Sequence, residues 1–220
     1  MPLTFTDRRN GNSVAPYDSF NLARHVGDID SSVSLNRQHL AKTIGCPIQF
    51  MNQVHSGDIF EVTEVVADPT CDALITSKTG IGLAVMVADC IPLLLSSATV
   101  IAAVHVGRRG LANSIASNTV KRMLDMGAMN IQANIGPSIC GQCYEVSQEL
   151  IDEFRILKPK SISTTRHGSP ALDLPAALIS DLLELNVEID VSEICTLENS
   201  DYFSYRRNTI TGRTAGVIWL

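Results

Sequence analysis

The sequence predicts a mixed α/β fold in a single domain spanning residues 1–220. Three observations carry that prediction. Short apolar runs at Leu83–Val87, Leu93–Leu95 and Val100–Val106 are bounded by Pro, Ser and Gly, the pattern of strands in a buried sheet. Beyond Gly110 the period lengthens, and Leu111, Ile115, Val120, Met123 and Leu124 fall on one face of a helix that Gly127 closes. No repeat, low-complexity tract or linker divides the chain, which is long enough to bury a substantial core.

Taken in order, Leu3–Thr6 reads as a strand, followed by a polar loop carrying Asn10-Gly11-Asn12 and Pro16-Tyr17. Ser31–Ile44 reads as a helix with an uneven apolar face, and Gly45 ends it. Gln49–Val54 reads as a strand leading into His55-Ser56-Gly57-Asp58, Ile59–Val66 as another, and Cys71–Thr76 as a further short apolar element. After the central stretch, Asn130–Ile135 reads as a strand broken by Gly136-Pro137. Residues 145–157 and 174–185 read as helices, the second with Pro175 in its first turn, and Lys158–Ser169 between them as a polar loop. Val191–Leu197 and the apolar end Gly216–Leu220 complete the expected strands.

Composition narrows the function. A charged share of 18% and a net charge of -6 exclude nucleic acid or an anionic membrane as the main partner. Any anion site must then be a local arginine cluster. The apolar centre is interrupted by Asp89, Pro92 and Ser96-Ser97, which argues against a membrane span. Met1-Pro2-Leu3-Thr4 lacks the basic start and long apolar core of a signal peptide, so a cytoplasmic protein is expected. Six scattered cysteines are too sparse for a secreted disulfide framework, and free thiols or metal ligands are expected instead.

His55, Cys90 and His105 each end an apolar run beside Gly or Pro. Two imidazoles and a thiolate suit Zn²⁺ with a fourth position open to water, and such a centre lowers the pKa of bound water to about 7. Spacings of 35 and 15 residues match no compact zinc motif, so a buried Cys with surface His residues stands as the alternative. Asp89 can orient a ligand, take a proton or simply cap a turn. Arg108 and Arg109 precede the helix expected near Leu111, where guanidinium groups and free N–H groups can hold an anion, or can be two solvated charges. Arg206-Arg207, after Tyr202-Phe203-Ser204-Tyr205, admits the same two readings. Cys140-Gly141-Gln142-Cys143 is a CxxC with no second copy and no thioredoxin-like context, so two partly buried thiols near a pocket are expected rather than dithiol redox chemistry.

Several linked segments occur in order: Pro16-Tyr17, Asn21-Leu22, His25-Val26-Gly27-Asp28, Asn52-Gln53-Val54-His55-Ser56, Ala88-Asp89-Cys90-Ile91-Pro92 and Ala102-Ala103-Val104-His105-Val106-Gly107. Gly136-Pro137, Cys143-Tyr144-Glu145-Val146 and Thr211-Gly212-Arg213-Thr214-Ala215-Gly216-Val217-Ile218 follow. Together they resemble the YfiH family, also called the laccase-domain or multicopper polyphenol-oxidase-like family, across essentially the whole chain. The resemblance implies an α/β/β/α layered sandwich with a His-Cys-His metal site, formed here by His55, Cys90 and His105. It implies purine nucleoside phosphorolysis, adenosine deamination and methylthioadenosine phosphorolysis. It also matches Arg8, in Phe5-Thr6-Asp7-Arg8, and Arg109 to the family's arginines. Arg108 stands where such proteins commonly carry Trp, and Asn10-Gly11 where they carry Gly-Gly.

The older laccase label meets an arithmetic objection. A blue-copper centre plus a trinuclear cluster consumes more imidazoles than five, and His25, His39 and His167 lie outside the His55 and His105 motifs. Of the activities the resemblance implies, those of a zinc-dependent purine nucleoside enzyme acting on small molecules are the ones expected, with copper as a substitute ion. Arg8, Arg109 and Arg108 are the candidates for the phosphate clamp. No obligate protein partner is expected. Three alternatives stay open: a metal-free cysteine hydrolase with Cys90 as nucleophile and His105 or His55 as base, which could serve peptidoglycan-precursor editing, a copper-dependent polyphenol oxidase, and a binding module with a structural zinc.

Overall fold

A computed structural model describes residues 1–220. Its strands assemble into two large sheets because nearly every residue of the central runs is buried. One sheet has four strands: β1 (Leu3–Phe5), β2 (Ile48–Gln49), β5 (Gly82–Val87) and β12 (Thr214–Trp219), ordered β1-β12-β5-β2. The other has six: β3 (Ile59–Glu61), β4 (Ala73–Thr76), β6 (Ile91–Ser96), β7 (Ile101–Val106), β8 (Gln132–Ile135) and β11 (Glu188–Val191), ordered β11-β8-β6-β7-β4-β3. Within it β7 runs antiparallel to both β6 and β4, while β11 runs parallel to β8 and β3 to β4. A separate hairpin joins β9 (Ile162–Thr164) to β10 (Pro170–Leu172).

The period of two along each strand sorts the core into layers. On β7, Ala102, Val104 and Val106 face the helices α2 (Arg108–Ala112), α3 (Ile115–Asp125), α4 (Gln148–Leu157) and α5 (Leu174–Leu183). Ile101 and Ala103 face the other sheet, meeting Leu83, Val85, Val87 and Ile218. The outer face of the four-stranded sheet, Ala84, Met86, Ala215 and Val217, is covered by Phe20, Leu22 and Leu40, the last on α1 (Asp30–Ile44). The result is the expected α/β/β/α sandwich. No helix is long and apolar enough to cross a membrane.

Departures from the sequence reading have local causes. The expected strand Gln49–Val54 is cut to Ile48–Gln49 plus a bridge at Asn52. The next N–H groups turn aside to a buried carboxylate, described below. The strand expected over Ile59–Val66 ends at Glu61. The helix expected from Leu111 begins at Arg108 and divides at Ser114, whose φ of 56° lies in the left-handed region. The expected strand Val191–Leu197 is displaced to Glu188–Val191. Its ladder with β8 stops where Gly136-Pro137 follows, since proline has no N–H to offer. The polar loop Lys158–Ser169 contains a 3₁₀ turn at Pro159–Ser161 and strand β9, and the helix placed from residue 145 starts at Gln148.

Candidate metal centre

Cys90 ends the corner Ala88-Asp89-Cys90, where the chain leaves β5 in one sheet and enters β6 in the other. His105 sits opposite Pro92 in the β6–β7 ladder, two residues beyond Cys90. His55 reaches the same point from the loop after β2. Its φ of 60° is the left-handed conformation that β-carbon-bearing residues avoid unless held there.

The group that holds it is Asp72, buried just before β4. Its carboxylate accepts from the N–H groups of Val54 (3.1 Å), His55 (3.0 Å) and Ser56 (2.6 Å). The same carboxylate lies 2.7 Å from His105 Nδ1. Burial alone would raise the Asp72 pKa, but the His105 contact, the backbone donors and the nearby positive charge outweigh it and bring the group down to about 2. Asp72 is therefore ionised and can only accept. His105 Nδ1 must carry its proton, and Nε2 is the nitrogen left for the site. One carboxylate thus fixes the backbone of one histidine and the ring of the other. Sequence reading missed it; the available signal was a lone Asp opening an apolar strand.

The three ligand atoms of His55, Cys90 and His105 all lie within 4.8 Å of one another. His55 Nε2 is 4.0 Å from Cys90 Sγ, and the two imidazole centroids are 4.7 Å apart at 73°. A borderline-soft ion suits two imidazoles and a thiolate, and the one exposed member, His55, leaves the centre open on a solvent side. The residues present fit a metal ion. Burial disfavours the Cys90 thiolate, yet the charge and hydrogen bonds of His105 and His55 lower its pKa; the Cys90 charge and Asp72 raise that of His105 against its own burial. Gly107 leaves the space: a β-carbon there would lie 3.0 Å from His55 Cδ2 and 3.1 Å from Cys90 Sγ. Gly107→Ala is expected to weaken metal retention about 10–100-fold, the range seen when ligand-orienting contacts are disturbed, with little change in thermal stability. Equilibrium dialysis with zinc and a melting curve would check both halves.

The triad opens into a cavity of 370 Å³, within the range of small-molecule sites. Met86, Tyr144, Tyr205, Arg206 and Arg213 contribute to its wall, together with His25. A larger depression of 660 Å³ along α1 is shallow and holds one histidine and no cysteine. His25 is kept below its usual pKa by burial and by the charges of Arg213 and Arg37. Asp89 also borders the cavity, but its two carboxylate oxygens are taken by Thr196 Oγ1 (2.7 Å) and the Arg206 N–H (2.7 Å), so it ties the C-terminal segment to the β5–β6 corner. Arg108 and Arg109 line an adjoining hollow with His55, Cys90 and Tyr144. They form the first turn of α2 rather than a loop before it. Arg8 is held elsewhere: it bonds the Asp18 carbonyl and carboxylate, lies over the Phe203 ring and borders a different depression. Arg213, quoted in the sequence only as part of a motif, is built into the cavity wall beside Arg206. There its Nη1 donates to the carbonyls of Thr211 and Gly212.

Fold and site together define a class: an α/β/β/α sandwich whose central strands end in a His-Cys-His centre beside a small-molecule cavity. The chain belongs to the laccase-domain, or YfiH-type, family, since the family model described as multi-copper polyphenol oxidoreductase laccase matches residues 2–220. It is similar to a purine nucleoside phosphorylase of Corynebacterium glutamicum, with 43% identity over 228 residues, covering 98% of this chain and 93% of that protein. It also resembles the crystal structure of a Neisseria meningitidis DUF152 protein, with a TM-score of 0.91, 33% identity and coverage of 99% and 93%. A hypothetical protein YfiH of Bacillus licheniformis aligns with a TM-score of 0.90, 30% identity and coverage of 99% and 92%.

Proposed function

We propose that the whole chain acts as one catalytic domain, a zinc-dependent purine nucleoside phosphorylase of the cytoplasm. Its expected substrates are adenosine, inosine and methylthioadenosine, and it also deaminates adenosine. The observation that carries this reading is the His55-Cys90-His105 triad on the wall of a 370 Å³ cavity that Arg206 and Arg213 also line. The relatives named as purine nucleoside phosphorylases support the substrate class.

His55, Cys90 and His105 would hold the ion, which when bound supplies Lewis acidity at an open coordination position. Phosphorolysis needs phosphate placed against the anomeric carbon, the C–N bond broken and a proton delivered to the departing base. The chain's own contribution is positional. Arg109 and Arg108 on one side, and Arg213 and Arg206 on the other, offer guanidinium donors to phosphate oxygens. Tyr144 and Tyr205 offer aromatic faces to a purine. Arg8, tied to Asp18, can assist only if that pair opens.

Arg109→Ala should raise the KM for phosphate about tenfold or more while sparing phosphate-independent deamination, because an exposed guanidinium can leave without disturbing the core. Parallel assays of adenosine with and without phosphate, resolved by product, would check this. Equal loss of both reactions would make the arginine structural.

A second reading has its own observation. The Cys90–His105 pair is polarised toward thiolate and imidazolium without any ion, as a cysteine nucleophile requires. Iodoacetamide separates the two. Protection of Cys90 by zinc, with activity following zinc content, supports the metal enzyme. Activity retained after metal removal and lost on alkylation supports the hydrolase.

A further inference from the structure

A second cluster of ligand-type side chains lies apart from the triad. The Sγ atoms of Cys140, Cys143 and Cys195 and a carboxylate oxygen of Glu198 all lie within 4.8 Å of one another. We propose that these four residues bind a second zinc ion, a structural one, which fastens the C-terminal wall of the cavity to the turn after β8.

The sequence pattern supplies the first argument. Cys140-x-x-Cys143 and Cys195-x-x-Glu198 are two equal turns, the arrangement of a C-x-x-C…C-x-x-C zinc site with glutamate in the last place. Viewed alone the CxxC has no partner; the fold provides one. Residues 192–196 run beside 136–140, joined by the Ser138–Cys195 bridge, by Ser138 N–H to Ile194 O (3.3 Å) and by Thr196 N–H to Ser138 O (3.1 Å). The Cys140 N–H points at Cys195 Sγ from 3.4 Å.

Local geometry supports a preformed site. The first turn is closed by Cys143 N–H (3.0 Å) and Tyr144 N–H (3.1 Å) to the Cys140 carbonyl. Gly141 is required within it, because a β-carbon there would lie 2.5 Å from Asp173 Cβ. Tetrahedral coordination at about 2.3 Å from each sulfur separates ligand atoms by about 3.8 Å, so adjustments of well under 1 Å per side chain bring the four groups onto one ion. Three thiolates and a carboxylate around a divalent cation leave a charge of -2. Arg166 offsets part of it through its ion pair with Glu198 and its Nε donation to Gln142 Oε1 at 3.1 Å.

The position explains what such an ion would do. Thr196, next to Cys195, bonds Asp89 at the β5–β6 corner, and Arg206 further along the same segment donates its N–H to Asp89 and lines the cavity. Tyr205 belongs to that wall as well. The 198–206 stretch has no strand to hold it, and the cluster anchors its start.

The test is a zinc count on the full chain, purified reduced, stripped with chelator, dialysed against zinc and measured by plasma mass spectrometry. Wild type should retain two ions per chain, and Cys143→Ser, Cys195→Ser and His105→Ala one each. Because a cysteine variant can misfold, the second measurement uses wild type alone. Zinc should shield Cys140, Cys143 and Cys195 from iodoacetamide by at least about tenfold in rate, read by peptide mass spectrometry. One ion in wild type, lost only in His105→Ala, would overturn the proposal, as would equal alkylation of the three thiols with and without zinc. One ion that survives His105→Ala and disappears in Cys143→Ser would support this site while removing the metal from the proposed catalytic centre.

Discussion

Cys90→Ser should abolish bound catalytic metal and lower nucleoside phosphorolysis by at least about 10²-fold, the upper end of what losing a ligand's supporting partner costs. The hydroxyl is a far poorer ligand than the thiolate for a borderline-soft ion, and its pKa is out of reach of His105 and His55. The fold should survive, because Cys90 lies at a corner beside a cavity rather than within either sheet. Circular dichroism and a denaturant midpoint within about 1 kcal/mol of wild type would establish that the loss is local. Normal turnover by Cys90→Ser would dismiss both the metal centre and the cysteine nucleophile.

Asp72→Ala should be the most destabilising substitution around the site, costing about 3–5 kcal/mol. It strips three N–H groups and the His105 Nδ1–H of one shared acceptor, and leaves the buried His105 ring without its only carboxylate partner. The same residue gives stability a defined pH dependence. Its folded pKa, about 2, lies below the usual carboxylate value of 3.8. The unfolded chain therefore takes up the proton first as pH falls. The contribution is present in full above about pH 4 and disappears as pH approaches 2, an amount of about 2 kcal/mol. Asp72→Asn should flatten the denaturant midpoint across that window while wild type falls. A wild-type curve that is flat from pH 4 to 2 would show that the carboxylate is not held as described.

How much of the molecule is legible in its sequence depends on how local each signal is. The central strands are legible because β5, β6 and β7 are buried on both faces, and short apolar runs such as Leu83–Val87 and Leu93–Leu95, bounded by Gly, Pro or Ser, suit strands covered on both sides. The layered order is not legible from periodicity, since β5 and β6 are consecutive yet belong to different sheets; it follows from the family resemblance. Strand ends misread at Gln49 and Val191 are places where hydrogen bonds go to a side chain or are stopped by proline, neither visible in a hydrophobic pattern. His55, Cys90 and His105 stand out as ligand types at strand ends, and the fold brings them together. Asp72 does not, because its role depends on a loop 16–18 residues away curling back over it. Arg8 and Arg109 show the converse. Both stand out by charge and motif, but Arg109 borders the hollow beside the triad while Arg8 is engaged with Asp18. The thiols Cys140 and Cys143 lack meaning until the chain's return delivers Cys195 and Glu198 beside them.

The family label and the proposed activity differ on one point, the number and kind of metal centres. His39 lies against Phe20 and His167 lies in the loop before β10, so neither joins the triad to build a copper cluster; His25 lines the cavity without belonging to the ligand group. The most direct measurement uses one preparation loaded in parallel with zinc or with copper, and follows inosine with phosphate beside a phenolic substrate with oxygen. The proposal predicts that the zinc-loaded protein releases hypoxanthine and a pentose 1-phosphate only when phosphate is present, and that copper loading gives slow phenol oxidation at most. Rapid phenol oxidation with several coppers bound per chain, and no phosphate-dependent release of base, would contradict it.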